Sequence, residues 1–242
     1  MSTSEIPRPT AVPFRIVTTP PDVGLGTVGR HPSAVLLTAQ LLVVLLYPFL
    51  EGSTAGRAVV GVVQMGVVLI AAWAVRATPV LSWVAIVLGA PAMMLTVAEA
   101  ISPSTDAIVL ASAGFHVPFY FFVSYAMVRY LFHDEKVTRD ELYATGAAFT
   151  VVAWAFAYIY AATQVAWPGS FSGTESTEQS WFELLYLSFT TLTSLGLSDI
   201  VPVLDHARSL VMVEMVVGVF YVALVVARLV GLGASRRVRR PD

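Results

Sequence analysis

The stretch Trp181–Val201, WFELLYLSFTTLTSLGLSDIV, constrains this chain more than any other. Its first half is apolar enough to leave water, but it is too short, and too polar at its end, to cross a bilayer. The segments on either side of it, residues 142–166 and 207–231, are each long and apolar enough to span one. A half-length helix that runs into a Gly/Ser/Thr turn cannot face lipid, because its non-helical backbone would be left without hydrogen-bond partners. The stretch must therefore line a cavity or lie buried in protein, and a path for an ion or solute is the physical reason to build one.

The composition points the same way. Of 242 residues, 57% are hydrophobic and 12% charged, against about 25% charged in soluble domains. The absence of cysteine excludes disulfides, thiol catalysis and cysteine-ligated metals. Hydropathy divides the chain into six spanning segments at 34–50, 57–77, 80–98, 107–131, 142–166 and 207–231. The expected fold is an all-α membrane protein in which a re-entrant helix and loop separate the fifth and sixth segments. Residues 1–33 read as a cytoplasmic tail and 34–131 as a four-helix membrane bundle. A cytoplasmic linker follows at 132–141, then a pore-like module at 142–235 and a basic cytoplasmic tail at 236–242.

Charge sets the expected orientation. With the N-terminus inside, Arg8, Arg15, Arg30, Arg76, Arg129, Lys136, Arg139, Arg228 and the SRRVRR arginines lie on the cytoplasmic side, leaving Arg57 and Arg208 outside. Both termini are then cytoplasmic. The outer face receives Glu51, Glu99, Asp106, Glu175, Glu178, Asp199 and Asp205, with Glu183 close by. Such an acidic mouth would concentrate cations; for all of these residues except Asp199, solvated loop acids are an equally good reading.

Within the constraining stretch, Ser180 and Glu183 have the spacing of a capping box. The helix they start is expected to end near Leu192 and reverse at TSLGLSD. Its C-terminal dipole would present negative potential to a cation in the middle of the membrane, and the carbonyls and hydroxyls of the turn suit a cation as well.

Residues Thr191–Asp199, TLTSLGLSD, lie between an outer and an inner spanning segment, and in this order the chain resembles the pore module of the tetrameric potassium channel family, whose filter commonly reads TLTTVGYGD. The resemblance covers about residues 142–232. It extends to IVP, to the ARSL at Ala207–Leu210, and to Glu214, Gly218 and the terminal ARLVG, which look like bacterial members with six helices. It implies a homotetramer in a bacterial inner membrane and no enzymatic activity. It also implies a monovalent-cation filter formed by Thr193, Ser194, Leu195, Gly196, Leu197 and Ser198, with Glu183, Asp199 and Glu214 as its support and outer mouth.

Two positions depart from the family pattern. Leu197 stands at the filter tyrosine and cannot make that residue's hydrogen bond, though it can pack as an apolar wedge. Ser198 stands at the second glycine, where a left-handed backbone would cost about 1 kcal/mol per subunit. Inner cation sites near Ser194–Gly196 are therefore expected to survive better than outer ones, giving a filter that distinguishes K+ from Na+ less sharply. A K+-selective channel and a non-conducting regulatory or structural subunit are the competing readings.

The remaining polar residues are read individually. Glu214, deep in the sixth segment, is costly there unless paired; it is either a link behind the filter or a satisfied interhelical hydrogen bond. Gly218 resembles the family's hinge glycine, and close helix packing explains it equally well. Val219, Val222, Val226 and Leu229 share nearby faces and would form an apolar constriction that gates by dewetting. The fourth segment carries Arg129 alone at its inner end, so it lacks the repeated basic residues of a voltage sensor. His116 reads as a packing histidine, and Tyr158, Tyr160 and Trp167 as an aromatic belt. The basic tail suits anionic lipid, not nucleic acid. No cofactor is expected beyond the permeant cations, K+ and, for a relaxed filter, Na+.

Overall fold

Helix ends in this chain fall at prolines and polar turns. A computed structural model describes residues 32–50, 79–102, 105–131, 139–173 and 178–238, with scattered positions between 52 and 66. The helices are α1 (Pro32–Leu50), α2 (Pro79–Ile101), α3 (Asp106–Leu131), α4 (Arg139–Ala166), α5 (Trp181–Leu192) and α6 (Asp205–Val238). Among the described residues, five helices, all but α5, are long and apolar enough to cross a membrane. Most of the expected N-terminal tail, most of the second segment, the linker from 132 to 138, Glu51, Glu175 and the last residues of the basic tail lie outside the described residues.

Several boundaries shift from expectation: α2 runs to Ile101, past the expected 98. Helix α4 begins at Arg139, ahead of the expected 142, and α6 continues to Val238, past the expected end of the sixth segment. Nor is the fold wholly helical. Phe171–Ser172 (β1) and Val201–Pro202 (β2) form a short antiparallel ladder, Phe171 opposite Pro202 and Ser172 opposite Val201. The Val203 amide adds a 2.8 Å bond to the Ser170 carbonyl. This clasp joins the chain leaving α4 to the chain entering α6, so α5 and its turn form an excursion that starts and ends at one place.

Cross-helix contacts fix the direction of each element. Ser33 bonds Asp140, and Gln40 bonds the Ala147 carbonyl; both partners advance together, so α1 and α4 run parallel. His116 stacks on Tyr158, and Tyr120 meets Trp154; here one partner advances as the other retreats, so α3 and α4 are antiparallel. The short turn after Ile101 and the bond between Thr96 and His116 make α2 antiparallel to α3. Helix α2 therefore runs parallel to α1.

Helix α4 lies at the centre. Every residue from Val151 to Tyr158 is buried, as expected of a helix apolar on all faces. The alanines at 147, 148, 153, 155 and 157 are fully covered, and side chains this small let neighbouring helices approach closely. Tyr158 and Tyr160 are 3% and 0% exposed, so they belong to helix contacts and not to the expected aromatic belt. Trp167, 45% exposed, stays at the periphery, stacked on His206. Trp154 is the largest fully buried side chain. Trp154→Ala is expected to destabilise the folded protein by about 3–5 kcal/mol, read as a lower unfolding midpoint in detergent.

Candidate functional site

Helix α5 starts as the sequence dictates. Ser180 is its N-cap: the Ser180 amide donates to Glu183 Oε2 at 2.6 Å and the Glu183 amide donates to Ser180 Oγ at 3.3 Å, a complete capping box. Glu183 is thus engaged at the head of its own helix. The Gln164 and Gln179 pair adds two bonds, Gln179 N to Gln164 Oε1 at 2.8 Å and Gln164 Nε2 to the Gln179 carbonyl at 3.1 Å, which tie this start to the end of α4.

From there α5 runs antiparallel to α4 and parallel to α6. The Ser188 hydroxyl shares its one proton between the Ala153 carbonyl, 2.9 Å away, and Glu214 Oε1, while Tyr160 donates to Glu214 Oε2. Glu214 is 0% exposed, and its carboxylate joins α4, α5 and α6 in one network. One turn further along α6, Gly218 meets the end of α5: a Cβ built there would fall on the Leu192 carbonyl oxygen. Close helix packing therefore accounts for Gly218 directly.

The end of α5 is a Schellman cap. Ser194 N donates to the Thr191 carbonyl at 2.9 Å, and Leu195 N donates to the Thr190 carbonyl at 3.0 Å, which also accepts from Gly196 N at 3.1 Å. The motif places a left-handed residue just past the C-cap, a position that favours glycine. Here it is Ser194, with φ 60°, followed two residues later by Gly196 with φ 65°. Among the described residues Ser194 is the one non-glycine with positive φ. The strain expected at Ser198 therefore sits at Ser194, because the cap closes four residues earlier. Ser198 instead uses its hydroxyl locally, accepting from Ile200 N at 3.1 Å.

Beyond the cap the turn is open. Thr193, Ser194, Leu195, Gly196, Leu197 and Asp199 are exposed, and Ser198 is half-buried. Leu197 is 71% exposed in the protomer, so it has no seat as a wedge within its own chain. Among the described residues no hydrogen bond takes the carbonyls of Thr193, Ser194, Leu195 or Gly196. The Leu197 carbonyl differs, accepting from the Tyr186 hydroxyl at 3.1 Å.

The rest of the predicted site is more dispersed. Along α6 the buried residues Ala207, Val211, Glu214 and Gly218 form the stripe that faces α4 and α5. Val222 and Val226 continue it past the end of α5, where both become exposed; the Leu229 side chain lies outside the described residues. Glu99, Asp106 and Glu178 converge on a cavity of about 360 Å³ walled by Tyr47, Tyr158 and Trp181, so these three expected mouth acids border the seam between the N-terminal helices and the start of α5. His116 is buried as expected, bonded to Ser112 and Thr96.

The sequence alone did not reveal Tyr160, Ser188 or Tyr186 as partners. A usable signal existed for Tyr160, since a phenol in the middle of an apolar helix needs an acceptor and Glu214 is an unpaired acceptor of similar depth. Ser188 had the weaker signal of a hydroxyl on the apolar face of α5.

A helix–turn–strand excursion is thus clasped between two long apolar helices, with the C-terminus of α5 opening onto free carbonyls. Residues 146–233 match a family model described as Ion channel. The match begins within α4, contains all of α5 and the turn, and ends within α6, so it coincides with the clasped unit. Comparison with curated proteins and with solved structures gives no match. The long apolar helices mark a membrane protein, and residues 146–233 are similar to an ion-channel domain.

Two replacements test the packing behind the turn. Glu214→Ala leaves the Tyr160 hydroxyl without its acceptor and takes one of two from Ser188; a loss of about 2–3 kcal/mol is expected, measured as the unfolding midpoint in detergent. Gly218→Ala drives a Cβ onto the Leu192 carbonyl and is expected to cost about 1–3 kcal/mol in the same measurement.

Proposed function

We propose that this protein is a homotetrameric cation channel that passes monovalent cations with relaxed discrimination between K+ and Na+. The observation that carries this reading is the run of carbonyls from Thr193 to Gly196, exposed and without hydrogen bonds, at the negative end of α5 inside the ion-channel domain. Carbonyl oxygens can replace an ion's hydration shell. One copy cannot surround an ion, whereas four copies about an axis can, and the exposed faces of α6 and the turn are then shared between subunits.

In this reading α5 and its turn are re-entrant and six helices cross the membrane. The 12 residues of α5 reach about 18 Å, well short of a hydrocarbon core about 30 Å thick. The parallel course of α1 and α2 supports a crossing between them. The protein lies in a bacterial inner membrane with both termini cytoplasmic, and anionic lipid meets the basic C-terminal residues. Val222, Val226 and Leu229 form the inner constriction, and Gly218 allows α6 to approach or bend around the end of α5.

Relaxed selectivity rests on the filter's outer half. Leu197 and Ser198 replace the residues that organise that half in the resembled family, and the Leu197 carbonyl is already engaged. The test is the reversal potential of the purified full-length protein in planar bilayers, with K+ on one side and Na+ on the other. Current above protein-free controls with a small displacement from zero is expected. A large displacement toward the K+ equilibrium potential would show a K+-selective channel, and absence of current would leave a non-conducting membrane subunit.

A further inference from the structure

The turn contains two kinds of carbonyl. Those of Thr193–Gly196 accept no hydrogen bond among the described residues, while that of Leu197 accepts from the Tyr186 hydroxyl at 3.1 Å. Tyr186 lies on α5, eleven residues back in the same chain, and is 45% exposed. Its ring therefore stands on the open side of α5, beside the turn. We propose that Tyr186 is a positioning residue that lowers the channel's preference for K+ by holding the Leu197 carbonyl toward α5 and away from the ion path. The inference rests on the channel reading above.

The physical argument is directional. A hydroxyl donor prefers the lone-pair directions of its acceptor, so a carbonyl that accepts from Tyr186 aims its dipole at α5. A cation on an axis shared by four copies gains most from carbonyl dipoles aimed at it, and loses that field when they turn aside. Leu197 and Ser198 are not held in the left-handed region, and Leu197 is 71% exposed. Backbone strain does not fix this peptide plane; the Ser198 hydroxyl holds its far side through Ile200 N, and the Tyr186 bond is what engages the carbonyl itself. The filter is thereby divided into an inner row that can coordinate and an outer carbonyl that is withdrawn. A shorter row of sites discriminates less between ions of like charge.

Tyr186→Phe removes the donor and keeps the ring; Tyr186→Leu removes the donor and changes the shape. Full-length wild type and both variants are reconstituted in planar bilayers, and reversal potentials are read with K+ and Na+ on opposite sides. Both variants are expected to raise the K+ to Na+ permeability ratio by roughly 2–10-fold, the range set by one hydrogen bond. Wild-type current with an unchanged ratio in both variants overturns this inference and leaves the channel reading standing. Wild type without current above controls overturns the channel reading and this inference with it. A second measurement on the wild-type chain covers the case in which the variants do not assemble. With an isotope-labelled carbonyl at Leu197 or at Leu195, replacing Na+ by K+ is expected to shift the infrared band of the Leu195 carbonyl and not that of Leu197. A shift at Leu197 overturns the proposal.

Discussion

The Glu214 carboxylate is the interaction on which the packing of α4, α5 and α6 depends. It lies fully buried in an apolar helix, where an unpaired carboxylate would be costly, and both of its oxygens are taken, one by Tyr160 of α4 and one by Ser188 of α5. In a low-dielectric interior such hydrogen bonds are strong and an unmet partner is correspondingly expensive. The network therefore fixes the depth of α5 relative to the two long helices beside it. With that depth set, Gly218 comes under the Leu192 carbonyl, and the cap at Thr190–Gly196 opens on the far side.

A half-length helix in a membrane protein needs partners at both ends as well as along its side, and α5 has them. At its start, the capping box and the Gln164–Gln179 pair satisfy amides that no preceding turn can serve. At its end, the Thr190 and Thr191 carbonyls are used by the turn itself. The Leu192 carbonyl lies against Gly218, and the exposed carbonyls without hydrogen bonds begin at Thr193. The free carbonyls are thus a defined remainder of the capping pattern, positioned by it, and not the frayed end of a helix.

These features were unevenly legible in the sequence. Helix boundaries were readable because prolines and polar turns interrupt apolar runs, and α5 was readable to the residue because Ser180 and Glu183 specify its start and TSLG its stop. Glu214 announced itself as a buried charge. Its partners did not, because the pairings span 54 and 26 residues of chain and no local periodicity encodes them. Tyr160 looked like an interfacial aromatic for the same reason: its residue type suits both places, and only the packing of α4 at the centre decides between them. The backbone state of the turn was misplaced by four residues. A motif comparison locates glycines, whereas the left-handed position here is set by where the helix closes, and closure on the Thr190 carbonyl puts it at Ser194.

That placement has a mechanical consequence. A left-handed serine costs about 1–2 kcal/mol, and it persists because its neighbours over-determine it: the Thr190 carbonyl binds two successive amides, and the Leu192 carbonyl is wedged against Gly218. The strained residue therefore lies within the run of free carbonyls, one position past its start at Thr193. The N-terminal helices do not touch this point in the contacts described. They meet α4 through the His116–Tyr158 stack and the start of α5 through Tyr47 and Phe182. A displacement of that bundle has two routes to the turn, one along α5 from Tyr47 and Phe182 and one through α4 and the Glu214 network, and both pass through the body of α5.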